Sequence, residues 1–451
     1  MSTSRKRLRR GAATTTLALA VAGSIAAFGA GSSSASSHLA RIASSSRPAN
    51  KIVVLAYGDA QNSAEQYAVN TYNKTAEGKQ VKAVLQTIPG ANYQTKLQTI
   101  MGSSNAPDVF FNWGGGSITQ FQKAGLLLPL NGFMKANPKL KTSFLPSILN
   151  AAKIGSNYYG IPMRGTQPVL LFYNKTVLAA HKLTPPTTWA QLLSDVATLK
   201  SGGVQVPIAL GGADQWPTLM WFEYLYDRVA GPSLVTDALA GKSSLWSTPA
   251  SNTALADLAQ LINAGGFGAS KSWDSVYFTK NQTAQLMIAG QAAFELMGSW
   301  DYSAIQTQSA SFAASDLGYT AFPSIPGGKG NLNDLAGNTE NYYSVLKNTR
   351  YPQAVADLLT VMYSPTWVKK ELALGNLTTT TSTPGLISGK TAAYLKYQYA
   401  LIKKAPAFQL SWDQAWPQTD SNAIHTAVAN YFDNLSASGY ESAMAGLTPA
   451  S

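Results

Sequence analysis

Over the first half of the chain, short apolar runs alternate with polar stretches that carry helical spacing. KIVVLAY (51–57) reads as a buried strand, SAEQYAVNTYNKTA (63–76) sets Tyr67, Val69 and Tyr72 near helical spacing, and VKAVLQTI (81–88) alternates as a second strand. Residues 92–103 follow a helical pattern, and DVFFNW (108–113), β-branched and aromatic, predicts a third strand. Strands and helices in alternation predict an α/β domain with a largely parallel sheet. Such sheets hold ligands beyond the carboxyl ends of their strands, where this chain places Tyr57-Gly58-Asp59 and Asn112-Trp113-Gly114. Gly115 and Gly116 follow. A tryptophan on a glycine loop is expected to be presented to a ligand, with the backbone approaching closely because no Cβ intervenes.

A second series of elements occupies the middle. YYGIPMRG (158–165) and PVLLFYNK (168–175) are strand-like with a polar step between them. TPPTTWAQLLSDVATLK (184–200) is a helix capped by Thr187 or Thr188, with Leu192, Leu193, Val196 and Leu199 as its apolar stripe. VPIAL (206–210), a Trp-rich helix over 216–226, a helix over 253–265, AAFELMGSW (292–300) and YYSVLKN (342–348) follow. GGKG at 327–330 reads as a turn, because it lacks the spacing and hydroxyl of a phosphate loop. Beyond residue 353 the pattern is mostly helical, broken by a Thr/Ser-rich stretch at 378–383.

At 451 residues with 45% apolar content the chain is expected to form two domains. It contains no cysteine, which excludes disulfides, thiolate metal sites and thiol nucleophiles. Its three histidines, His38, His181 and His425, lie far apart in sequence, so neither a histidine metal site nor a cofactor is expected. A basic stretch at Arg5–Arg10 and the apolar run 17–28 predict a signal peptide over 1–35, followed by a disordered leader over 36–49. The apolar run is short and alanine-rich for a spanning helix. Those 35 residues hold five of the chain's 34 Lys+Arg and none of its 22 Asp+Glu, so much of the net +12 goes with them. No basic cluster with interleaved aromatics remains, and nucleic-acid binding is not expected. Charged residues make up only 12% of the chain, about half the usual share. A surface with few carboxylates loses few ion pairs on acidification, so tolerance of acid is expected.

Five stretches in order carry a further signal. They are PDVFFNWGGGSITQFQKAGLLLPL, YYGIPMRGTQPVLLFYNKTVLAAHKLTPPTTWAQLL, MIAGQAAFELMGSWDYS, FPSIPGGKG with AGNTENYYSVLKNT, and FQLSWDQAWP. Together they resemble the extracellular sugar-binding proteins of ABC transporters, the maltodextrin-binding-protein-like family, over roughly residues 50–445. The resemblance implies a type II periplasmic-binding-protein fold: two α/β lobes, each a mixed, mostly parallel sheet flanked by helices, joined by a hinge. It places lobe 1 at 50–163 plus 338–368 and lobe 2 at 167–337 plus 369–445. It also implies a non-enzymatic, monomeric receptor that captures a small carbohydrate and hands it to membrane permease subunits. Export with signal-peptide cleavage follows, and lipid anchoring does not, since relatives tethered in that way use a cysteine.

A sugar presents an apolar ring face and an edge of hydroxyls, so its site needs flat aromatics and polar groups around them. By match to the family, Trp113, Trp216, Trp300 and Trp412 fall in segments lining the cleft. Asp59, Gln61, Asn112, Gly114, Arg164, Gln167, Asp301, Asn338, Glu340 and Asp413 are the other candidates, with Arg164 at the hinge open to a lobe-bridging role. Trp189, Trp221, Trp246 and Trp367 are assigned to packing. A polyamine, anion, iron or peptide remains open as cargo, as does a secreted glycoside hydrolase, which would need two facing carboxylates.

Overall fold

The computed structural model describes residues 50–449 except Ala60, Gln61, Ala91 and Asn92. The signal peptide and leader expected over 1–49, and the candidate Gln61, lie outside the described residues. Among the described residues the strands occur in the order β1 Lys51–Gly58, β2 Lys82–Pro89, β3 Val109–Asn112, β4 Lys153–Ile154, β5 Asn157–Tyr158, β6 Ile161–Pro162, β7 Gln167–Asn174, β8 Ile208–Ala209, β9 Phe294–Gly298, β10 Leu317–Thr320, β11 Leu335–Asn338, β12 Tyr342–Val345 and β13 Phe408–Leu410. One sheet runs β2-β1-β3-β12-β6, the other β13-β11-β7-β9-β8 with β10 also paired to β7, while β4 and β5 form a hairpin.

The first sheet is parallel through β2, β1 and β3, with β12 and β6 antiparallel at its far side. β3 is buried throughout, as both faces of a central strand demand. In the second sheet β7, entering from the other lobe, runs antiparallel to β9, β10 and β11. Each sheet has its own hydrophobic core. Val54, Phe110, Tyr343 and Trp367 belong to one, and Leu171, Trp189, Trp221 and Trp246 to the other.

The chain passes between lobes three times: between β6 and β7, between β11 and β12, and again beyond the helix Pro365–Ala373. The boundary expected at 368–369 falls inside that helix, and Leu372 and Leu377 pack in the same core as Trp367. The helix Ala392–Lys404 contributes Leu395 to the first core and Tyr394 and Leu401 to the second. Asn338, expected to open the return to lobe 1, pairs instead with Gln167 in the second sheet.

Glu340 ties these passages together. One carboxylate oxygen accepts the backbone N–H groups of Gly165 (2.7 Å) and Asn341 (2.9 Å), and the other accepts the Thr379 hydroxyl (2.5 Å). Three crossing segments therefore converge on one fully buried side chain, whose pKa burial pushes up to about 7. Glu340→Ala would leave these donors without their acceptor and is expected to cost on the order of 2–4 kcal/mol in urea unfolding. Glu340→Gln should cost under about 1 kcal/mol, because the amide oxygen accepts the two N–H groups and Thr379 can reverse its hydroxyl.

Candidate functional site

A cavity of about 930 Å3, its open mouth included, lies between the lobes at the carboxyl ends of β1 and β3. Lobe 1 brings Tyr57 and Trp113 to it, and lobe 2 brings Trp216, Phe278 and Trp300. Trp113 is half-buried, supported edge-on by Phe111 (4.8 Å), Tyr57 (5.7 Å) and Tyr93 (5.8 Å). Opposite it, Trp216 packs at 6.1 Å from Trp300 and 5.2 Å from Phe278. The Trp300 ring folds back over Gly298, where any Cβ would collide with it.

The helix Trp216–Ala230 explains the floor. It is buried on nearly every side from Pro217 to Val229, as befits a helix running through a core. Trp216, Leu219, Met220 and Glu223 face the cavity at the i, i+3, i+4, i+7 spacing of one helix face. Glu223 accepts the Trp412 N–H (2.8 Å) and a longer bond from Ser411 (3.4 Å). Burial, and then the nearby Asp413, push its pKa up to about 8, so at neutral pH it retains a proton to donate.

The polar rim has two parts. At the hinge, Gln167 accepts from the amides of Asn338 (3.2 Å) and Asn341 (2.6 Å), whose own carbonyl oxygens find no partner among the described residues. On the lobe-2 side Asp413 bonds to His425 (3.1 Å), and the buried side-chain oxygen of Gln414 likewise has no partner among the described residues. Unpartnered buried acceptors are costly, and these three residues belong to the cavity wall.

Arg164 lines the cavity but is held within lobe 1. It bonds to Asp59 (2.6 Å), Glu65 (2.8 Å) and the Tyr57 carbonyl (3.2 Å), and its guanidinium lies over Phe111. It does not bridge the lobes through these contacts.

Of the sequence candidates, the structure brings Asp59, Trp113, Arg164, Gln167, Trp216, Trp300, Asn338 and Asp413 to the cavity wall. Five others go elsewhere. Asn112 is buried behind Trp113, bonding to Ser344 and to the Gly114 N–H. Gly114 gives room to the Tyr342 ring, 2.8 Å from where its Cβ would be. Asp301 is fully buried and faces Glu295. Glu340 serves the hinge. Trp412 sits in the lobe-2 core against Tyr226 (5.5 Å) and Trp246 (5.2 Å).

Sequence reasoning placed Tyr57 only as part of a strand end, and it missed Phe278, Glu223, Asn341, Gln414 and His425 on the cavity wall. A signal existed for Glu223, a lone acid inside the otherwise apolar LMWFEYLY and two helical turns from Trp216. His425 becomes part of the site only because its helix, Gln418–Asn434, passes the turn that carries Asp413.

Two α/β lobes with three chain crossings and an aromatic cleft between them define a solute receptor. The chain belongs to the bacterial extracellular solute-binding protein family, whose model matches residues 57–369. An uncharacterised ABC transporter extracellular-binding protein of Pyrococcus horikoshii is 27% identical over 195 residues, 43% of this chain and 43% of that protein. A putative binding protein of Brucella abortus is 27% identical over 99 residues, 22% of this chain and 23% of its own length. The matches thus span less than half of these relatives. Among solved structures, one from a study of xylan utilisation by Caldanaerobius polysaccharolyticus superposes with a TM-score of 0.78 at 24% identity, covering 87% of this chain and 98% of that one. A chitin oligosaccharide binding protein gives 0.75 at 22%, covering 88% and 98%. The solute-binding protein RafE in complex with raffinose gives 0.71 at 17%, covering 88% and 99%.

Proposed function

We propose that the protein is the receptor of an ABC importer and that its solute is a short, uncharged oligosaccharide. The observation that carries this is the convergence of aromatic rings from both lobes on one cavity, Tyr57 and Trp113 facing Trp216 and Trp300, with unpartnered acceptors around them. Rings stack on the C–H faces of a sugar, and Asn338, Asn341 and Gln414 accept from its hydroxyls. The guanidinium of Arg164 is already bonded to Asp59 and Glu65, Asp413 is hydrogen-bonded to His425, and Glu223 keeps its proton. Among the described lining residues no cation is therefore left free to hold an anion. The oligosaccharide binders among the structural neighbours support the same reading.

A ligand touching both lobes stabilises the closed form relative to the open one, because only differential contact shifts such an equilibrium. The closed receptor then docks on its permease outside the cytoplasmic membrane. Calorimetric titration against xylo-, malto-, cello- and chito-oligosaccharides, monosaccharides, phosphate and spermidine tests this. Binding of one oligosaccharide series near micromolar affinity, about −8 kcal/mol, with tryptophan quenching and no turnover, is expected. A response to phosphate or spermidine alone would overturn the cargo, and hydrolysis of the sugar would overturn the receptor.

A further inference from the structure

Three glycines follow Trp113, and the structure requires them for different reasons. Gly114 and Gly115 have φ of +73° and +53°, a region that disfavours side chains. Gly116 has no such φ and starts the helix Gly116–Lys123. Locally, alanine would fit there and would be the better helix former. What excludes it is the other lobe. A Cβ on Gly116 would lie 2.5 Å from the carbonyl carbon of Trp416, closer still to its oxygen, and 3.0 Å from the Ala415 oxygen. One on Gly115 would meet the Gln414 oxygen at 3.0 Å and a Leu410 methyl at 2.9 Å. Leu410 ends β13 of the second sheet, and Trp412 and Trp416 are fixed in the lobe-2 core. Beside this contact the Gln418 amide donates across the lobes to Gln94 at 2.5 Å.

We propose that Gly115 and Gly116 form a seat on which the Ser411–Pro417 turn of lobe 2 docks as the cleft closes, with Gly116 limiting how near the lobes come. The seat directly follows Trp113, and the docking turn carries Asp413 and Gln414, which line the cavity. Backbone-to-backbone docking thus sets the distance between a stacking ring and the polar groups opposite it. Gly116 is a positioning residue, and its part in ligand capture rests on the receptor reading above.

The test is Gly116→Ala in the purified protein, followed by small-angle scattering and by hydrogen exchange over residues 408–418, with and without the oligosaccharide panel. The expected result is an unchanged unfolding midpoint, a larger radius of gyration, faster exchange at 408–418 and affinity weakened at least tenfold. Gln418→Ala, which removes the neighbouring bond without a clash, should move the same readouts by less. Unchanged scattering, exchange and affinity in Gly116→Ala would overturn the proposal. So would a large drop in its unfolding midpoint, which would make the contact part of the permanent fold. If the wild type binds none of the sugars, the cargo reading fails, and scattering and exchange still decide the seat.

Discussion

Trp300→Ala is expected to weaken oligosaccharide binding roughly 30- to 150-fold, from the loss of about 2–3 kcal/mol of buried ring area and stacking. Trp300 is half-buried at the cavity, where it touches Trp216 and covers Gly298, so its truncation should lower the unfolding midpoint less than that of a fully buried tryptophan. Trp412→Ala should do the reverse. Its ring is fully buried among Tyr226 and Trp246, and removing a buried tryptophan costs about 3–5 kcal/mol of stability. Calorimetry and chemical denaturation on the two variants separate the roles. Wild-type affinity in Trp300→Ala would place the ligand somewhere other than against this ring.

Acidification is expected to stabilise the protein, with the maximum near pH 4–5 and a decline toward pH 8. Burial pushes the carboxyl groups of Glu223 and Asp301 up to about 8, Glu340 to about 7, and Asp195 and Asp227 to about 6. In the unfolded chain these groups titrate near pH 4. Between the two values the folded state holds protons that the unfolded state has released, so stability falls as pH rises. This contribution is complete below the unfolded values and disappears as pH passes through 6, 7 and 8. Asp316, lowered by hydrogen bonds from Ser315 and Thr176, pulls the other way. The expected result is a melting temperature higher at pH 5 than at pH 8. A maximum at neutral pH with early acid unfolding would refute it. The expectation from a carboxylate-poor sequence was tolerance of acid; the burial of these particular acids turns it into a preference.

Much of the architecture was legible from local pattern. The periods of 2 and 3.6 located β1, β2, β3, β7 and β9 and the long helices, because burying an apolar face is a requirement each element meets locally. Five ordered stretches resembled one family, and Tyr57, Asp59 and Trp113 from the expected strand ends lie on the cavity wall. The short strands β10, β11 and β13 left no readable pattern. Their three or four residues are held by neighbours as far as about 170 positions away.

Two Trp-Asp pairs show where local reading stops. In Trp300-Asp301 the ring faces the cavity and the acid is buried against Glu295. In Trp412-Asp413 the acid faces the cavity and the ring is buried in the core. Each pair sits at the start of a helix, where consecutive residues point about 100° apart, so one must turn inward while the other turns out. Pattern along the chain and the family resemblance were enough for the α/β class and its two lobes. Which member of each pair faces the cavity, that Glu340 binds the crossings together and that Gly116 faces the other lobe were visible only in the folded chain. Those outcomes depend on how elements far apart in the chain pack, and no local period records that.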